Sequence, residues 1–245
     1  MSVLRELGIL VLVGLIAAVN GVLSTWYTWN NQIVGCPLHD VLFDLFPDLS
    51  HWTIPIPNYV YLAQVVVALL AFPYDRKVQY FAQYIFLQCI LTSVRALTVC
   101  VTILPNIHVD DYCKEDPTGF FDVVGKIIGY GTCGDYMWSG HTACVFALFL
   151  FVHYHKEAYG YELVSGILFG TMILFLILLR WHYTIDIIIG TLITWLSFNM
   201  YTRYERHPSL QLIYFRSFRC GKKRRDKAGN KALYKPLSTG ENIIF

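Results

Sequence analysis

From Leu7 to Leu23 the chain carries no charge, and Asn20 is its only strongly polar side chain. A bilayer core about 30 Å thick takes roughly 20 mostly apolar residues to cross as a helix. Five further stretches read the same way, at residues 57–73, 80–104, 140–155, 161–180 and 183–202. The second begins beside Pro55 and Pro57, so its boundary is the loosest. The first run exceeds the roughly 7–15 apolar residues of a signal-peptide core, which favours a retained span. Composition agrees: 56% of the 245 residues are hydrophobic and 15% are charged, against about 25% charged in soluble domains. That deficit excludes a disordered chain, a nucleic-acid binder driven by net charge and an ordinary cytosolic enzyme. The expected fold class is therefore all-α, a polytopic membrane protein built as a six-transmembrane-helix bundle. Residues 1–6 are expected to be a short cytosolic N-terminus, 7–202 the membrane domain and 203–245 a basic cytosolic tail.

Lys and Arg set the expected orientation, because cytoplasmic loops collect them. With the N-terminus in the cytosol, Arg5, Arg76, Lys77, Lys156 and the basic residues from Arg203 to Lys235 share the cytosolic face. The opposite face holds only Lys114 and Lys126, with Arg95 and Arg180 assigned to spans, and it collects acids from Asp40 to Asp135. The Lys222–Arg225 cluster reads as a stop-transfer flank or as a contact with an anionic leaflet. Cys220 beside it is either a free thiol or an acylation site. Cys89, Cys100 and Cys144 fall in spans as small core fillers. Cys36, Cys113 and Cys133 lie on the non-cytosolic side, where disulfides persist. They allow three single bridges, of which Cys113–Cys133 is preferred because it closes a loop directly before the motif described next. Neither a CxxC spacing nor a Cys/His ligand pattern occurs, so no metal is expected.

Chemistry concentrates in two strings, Cys133-Gly-Asp-Tyr-Met-Trp-Ser-Gly-His-Thr142 and His182-Tyr-Thr-Ile-Asp186. His141 and His182 are 41 positions apart, close to two crossings of about 20 residues each. One span enters and the next returns, so both imidazoles are expected at the same non-cytosolic surface. His182 and Asp186 stand four apart and share a helix face. An aspartate there fixes the ring tautomer and makes the other nitrogen more nucleophilic. A single histidine at a helix end is ordinarily an interfacial anchor; two on one face, one with a carboxylate, point to a site.

Arg95 is the third element, on one helix stripe with Thr98 and Thr102. A permanent cation inside a span needs an anion or a wet cavity. A lipid phosphate fits a guanidinium fork; a structural ion pair with Asp135 or Asp186, or an upward snorkel, is the alternative. Asp135 reads as a proton-transfer or head-group residue, or as a loop cap beside Gly134. Tyr136 and Trp138 read as aromatic faces for a quaternary ammonium or as interfacial belt residues. Tyr183 and Thr184 read as packing at the helix start.

These residues carry a resemblance. Cys133–Thr142 and His182–Asp186 resemble two signature blocks of the sphingomyelin synthase family, ceramide phosphotransferases of the phosphatidic acid phosphatase type 2 superfamily. Pro37-Leu-His-Asp40 is similar to a third block, with His39 where the family has proline, and Arg95–Pro105 is similar to a fourth. The four occur in order between about residues 35 and 202; Arg180 is a charge the family pattern does not lead one to expect. The resemblance implies transfer of a phospho-head-group from a glycerophospholipid, phosphatidylcholine favoured, to the primary hydroxyl of ceramide. The products would be sphingomyelin and diacylglycerol. It implies His182 as nucleophile, oriented by Asp186, and His141 as general acid and base. Arg95, Ser139, Asp135 and Tyr136 would lie against substrate, with no cofactor and no metal. It further implies membrane lipids as the partners, no nucleic acid, room for a homo-oligomer and no added N-terminal interaction domain. The expected membrane is the Golgi or the plasma membrane, with the endoplasmic reticulum as the alternative. Ceramide phosphoethanolamine or inositol phosphorylceramide synthesis stays open as to head group. A lipid phosphate phosphatase, with water as acceptor, is the rival enzyme, and a non-catalytic lipid binder or transporter is the rival of another class.

Overall fold

The computed structural model describes residues 3–31, 38–52, 54–105, 119, 121–122, 137–156 and 158–206, and the described elements are helices joined by turns and bends. In chain order they are α1 (Val3–Asn30), α2 (Val41–Leu45), α3 (Ile56–Ala71), α4 (Lys77–Val101), α5 (Gly140–His155), α6 (Tyr159–Leu178) and α7 (Thr184–Arg206). Each of the six apolar stretches is helical. Four contain segments long and apolar enough to cross a membrane: Leu7–Asn30, Lys77–Val101, Tyr159–Leu178 and Thr184–Arg203. The protein is a multi-pass membrane protein.

The six-span expectation is met only in part, and the reason is length. Helices α3 and α5 have 16 residues each, about 24 Å of rise against a core of about 30 Å. For α5 the cause is its position. It packs against α3, α4, α6 and α7, and Ala143, Val145, Ala147, Leu148, Phe151 and Val152 along it are essentially sealed from the surface. A helix apolar all round is a buried helix. α1 sits at the edge and meets the bundle through α4. Its inward face is small or hydroxylic at Ala17, Gly21, Ser24, Thr25 and Thr28, and Ser24 and Thr25 both return their hydroxyls to the Gly21 carbonyl at 2.9 Å. Small residues let two helices approach where lipid removes the hydrophobic drive to associate. Leu12, Leu15 and Leu23 on the other face stay exposed.

Two clusters fill the bundle. One joins Tyr84, Leu87, Leu91, Trp138, Phe151 and Phe198. The other joins Phe43, Val60, Met172, Leu176, Tyr183 and Ile187, at the end where α6 stops and α7 starts. Trp138, expected at an interface or against a ligand, is 1% exposed. Its indole N–H donates to Thr98 Oγ1 at 2.9 Å, so it is a core residue with its polar handle satisfied.

Arg180 corrects a second expectation. It lies past the end of α6 rather than within a span, in a left-handed conformation with φ 53°. Its Nε pairs with Asp48 at 2.9 Å, its Nη2 donates to the Phe43 carbonyl at 3.0 Å, and its guanidinium lies 4.7 Å above the Phe43 ring. The unexpected charge thus fastens the 41–48 segment over the α6 terminus, where the Leu49 amide also reaches the Leu178 carbonyl at 2.9 Å.

Candidate functional site

Helix α5 begins at Gly140 and α7 at Thr184, with α6 returning the chain between them. His141 therefore sits in the first turn of α5 and His182 just ahead of α7, at one end of the bundle. Their ring centroids are 6.4 Å apart, with the planes inclined by 58°. Asp186 is fully buried and His182 is 7% exposed. The Asp186 Oδ2 lies 3.6 Å from His182 Nδ1, beyond ordinary hydrogen-bond length but within the looseness of catalytic contacts in an unliganded site. The same oxygen accepts the Tyr183 amide at 3.1 Å, which fixes the carboxylate beside the ring. Asp186 Oδ1 is buried with no hydrogen-bond partner among the described residues.

The start of α5 is pinned to α7 by Ser139. Its amide donates to the Asp186 carbonyl at 3.1 Å, and its hydroxyl accepts the Thr142 amide at 3.1 Å as the N-cap of α5. Ser139, expected to face the substrate, is fully buried, and the structure gives it a positioning contact. The close approach depends on Gly190, where an added Cβ would stand 3.1 Å from the Ser139 carbonyl oxygen. Arg95 reaches this same turn. Its Nε donates to the Trp138 carbonyl at 3.0 Å, and its guanidinium lies against Gly140, whose added Cβ would meet Cζ at 3.4 Å. Thr98 completes the stripe, accepting the Trp138 indole and donating to the Arg95 carbonyl at 2.9 Å. Thr102 terminates α4. Asp135, Tyr136, Cys113 and Cys133 lie outside the described residues. Among the described residues, no group of three or more His, Cys, Asp or Glu could hold a metal ion.

Three residues at this end were not assigned a site role from sequence. Asp40 caps α7 from 144 positions away: its Oδ2 accepts the Thr184 amide at 2.6 Å and its Oδ1 the Thr184 hydroxyl at 2.7 Å. It also caps α2 through the Leu42 amide at 3.0 Å. Tyr183 accepts the Leu38 amide at 3.0 Å, donates to the Pro105 carbonyl at 3.2 Å and stacks on Phe43. Asn58, in the first turn of α3, places Oδ1 2.9 Å from His141 Nε2. The sequence signal for Asp40 is the Pro-Leu-His-Asp40 string and for Tyr183 the His182–Asp186 string; for Asn58 it is the pair Pro55 and Pro57, which forces a helix start there.

Asp40 yields a prediction. Burial alone would raise its carboxyl. Hydrogen bonds from the Thr184 side chain and backbone and from the Leu42 and Phe43 amides outweigh that and hold it below the ordinary 3.8. A depressed carboxylate stabilises the fold above its unfolded value, and the gain is lost as pH falls through the lower folded value. Asp40→Ala is expected to cost about 1–2 kcal/mol of stability, as a lost cap does. Because His182 stands beside the capped amide, turnover is expected to fall about 10- to 100-fold. Thermal midpoints from neutral pH down through 3.8 check it: the wild type loses its advantage over the variant in the acid range.

An electron-rich ring nitrogen oriented by a buried carboxylate can attack an electrophile, and a second imidazole 6.4 Å away can move a proton on the opposite side of the same centre.

Residues 132–203 match the family described as PAP2 superfamily C-terminal. The chain is similar to phosphatidylcholine:ceramide cholinephosphotransferase 1 of Caenorhabditis elegans, with 28% identity over 196 residues covering 72% of this chain and 42% of that protein. It is similar to sphingomyelin synthase-related 2 of the same organism, 26% identical over 170 residues, 63% of this chain and 52% of the relative. It is also similar to mouse phosphatidylcholine:ceramide cholinephosphotransferase 2, 26% identical over 174 residues, 64% of this chain and 47% of the relative. The chain spans about half the length of the curated relatives it matches. Both histidines and Asp186 fall inside the matched segment 132–203.

Proposed function

From a chain whose residues 132–203 match the PAP2 superfamily C-terminal family and which resembles ceramide cholinephosphotransferases over most of its length, we propose a lipid phosphotransferase. It moves the phosphocholine of phosphatidylcholine to the primary hydroxyl of ceramide, releasing diacylglycerol and forming sphingomyelin. The observation that carries this reading is the His141–His182 pair, 6.4 Å apart with Asp186 buried behind His182. Phosphatidylcholine and ceramide are the donor and acceptor in the names of two of these relatives. The acid-rich face from Asp40 to Asp135 favours a cationic head group.

The bundle crosses the bilayer six times, with α3 and α5 reaching the interface through their flanking turns. The histidine end faces away from the cytosol, since Arg76, Lys77, Lys156 and the basic tail all belong to the other face. In the first step His182 Nε2 attacks the donor phosphorus. The N–P bond forms as the bond to the diacylglycerol oxygen breaks, and His141 gives that oxygen its proton. In the second step His141 takes the proton of the ceramide hydroxyl, the hydroxyl oxygen attacks phosphorus, and the N–P bond returns its electron pair to His182. Asp186 holds Nδ1 and stabilises the positive ring between steps. Arg95, beside Gly140, supplies positive charge to the phosphoryl oxygens. Ser139 keeps the two helix starts in register.

Proteoliposomes holding labelled ceramide and phosphatidylcholine, phosphatidylethanolamine or phosphatidylinositol test the reading. The expected product is labelled sphingomyelin with an equal amount of diacylglycerol, dependent on phosphatidylcholine. Free phosphocholine formed regardless of ceramide would instead identify a hydrolase.

A further inference from the structure

His182 has a carboxylate behind it; His141 has an amide. Its Nε2 lies 2.9 Å from Oδ1 of Asn58, a residue outside all the motif strings. We propose that Asn58 is the positioning residue of His141: its amide oxygen accepts the Nε2–H, holds the neutral ring in that tautomer, and leaves Nδ1 to give and take the transferred proton. This rests on the transfer reading above.

The placement of Asn58 is built by the backbone. Pro57 is buried, the Asn58 amide donates to the Pro55 carbonyl at 3.0 Å, and the Ile56 amide donates to the Ile54 carbonyl at 2.8 Å. Val60, two residues on, is packed in the same cluster as Tyr183 and Ile187. The start of α3 is therefore fixed relative to α7, although the Asn58 side chain opens to the surface. The edge-to-face contact of His141 with Trp181, centroids 5.7 Å apart, limits the ring from another direction.

A neutral partner suits the role. A nucleophile benefits from a carboxylate, which stabilises the positive ring that forms on attack. A group that must give its proton to a departing alkoxide and then recover one from an alcohol works best near the operating pH. A carboxylate on Nε2 would favour the imidazolium and move its working range to higher pH. The groups that act electrostatically on His141 are His182, just ahead of α7, and Arg95 on α4, with Asp186 behind His182. Arg180, beyond α6, is engaged by Asp48, so the contact from α3 through Asn58 adds orientation without adding charge.

The full-length protein in phosphatidylcholine–ceramide proteoliposomes tests this with Asn58→Leu and Asn58→Asp, beside wild type, His141→Ala and the exposed neighbour Tyr59→Leu. Active wild type and inactive His141→Ala establish the transfer reading independently; failure of that pair would count against the transfer reading itself. Given that pair, Asn58→Leu is expected to lower kcat about 10- to 100-fold with KM for ceramide changed less than about threefold, while Tyr59→Leu stays at wild-type rate. Asn58→Asp, nearly identical in shape, is expected to keep substantial activity and move the pH–rate profile upward by about 1 unit, because an opposite charge favours the protonated ring. Wild-type kcat in Asn58→Leu, or a profile for Asn58→Asp superimposable on wild type, would overturn the assignment. The second result decides even if Asn58→Leu fails to insert.

Discussion

Replacing His182 with alanine is expected to reduce ceramide-dependent head-group transfer by about 10⁴-fold or more, the scale seen when a covalent nucleophile is removed. Both steps pass through the same ring nitrogen, so the loss appears in kcat and is not recovered by raising either lipid. Alanine at this position is expected to leave the α7 start in place. The α7 start is held by Asp40 on Thr184 and by Tyr183 on Leu38 and Pro105, none of which uses the imidazole. Initial rates in proteoliposomes, with thermal midpoints as a control on folding, check the result. His141→Ala is expected to lose less, about 10²- to 10⁴-fold, because it removes proton transfer but keeps the nucleophile.

The second large effect is expected at Asp186. Asp186→Asn preserves size at a fully buried position but replaces the charge that stabilises a positive ring with a neutral amide. The amide can still accept the Tyr183 amide proton, so the helix start survives. With that oxygen kept on the Tyr183 amide it still faces Nδ1, but no negative charge remains to stabilise the positive ring. A drop in kcat of about 10³- to 10⁴-fold is expected, as for a carboxylate that orients a catalytic imidazole elsewhere. The KM for both lipids should stay within a few-fold, since Asp186 is sealed from substrate. A large rise in KM with kcat preserved would assign Asp186 to binding.

The central pair was legible because its signal is coarse. Two histidines separated by two membrane lengths return to one end whatever the exact boundaries, and an i, i+4 aspartate needs only local helical geometry. The apolar stretches were legible for the same reason, though not which of them are long enough to cross alone. α5 is short because it is central, and a hydropathy pattern does not separate a buried helix from a lipid-facing one. Trp138 and Arg180 were misjudged because their partners are remote. The Trp138 indole bonds Thr98, and Arg180 pairs with Asp48. Asp40 and Asn58 escaped a site role because each acts across the bundle, 144 and 83 positions from its partner. No periodicity or spacing rule reaches that far. The pairings follow only once helices pack and buried polar groups demand satisfaction.

Charging the protein with head-group-labelled phosphatidylcholine in vesicles without ceramide, then quenching and mapping the label by mass spectrometry, tests the transfer mechanism most directly. An acid-labile phosphocholine adduct on His182, discharged to sphingomyelin when ceramide is added and absent from His182→Ala, is the predicted result. Transfer proceeding at full rate in His182→Ala, or label carried on a residue other than His182, would contradict it.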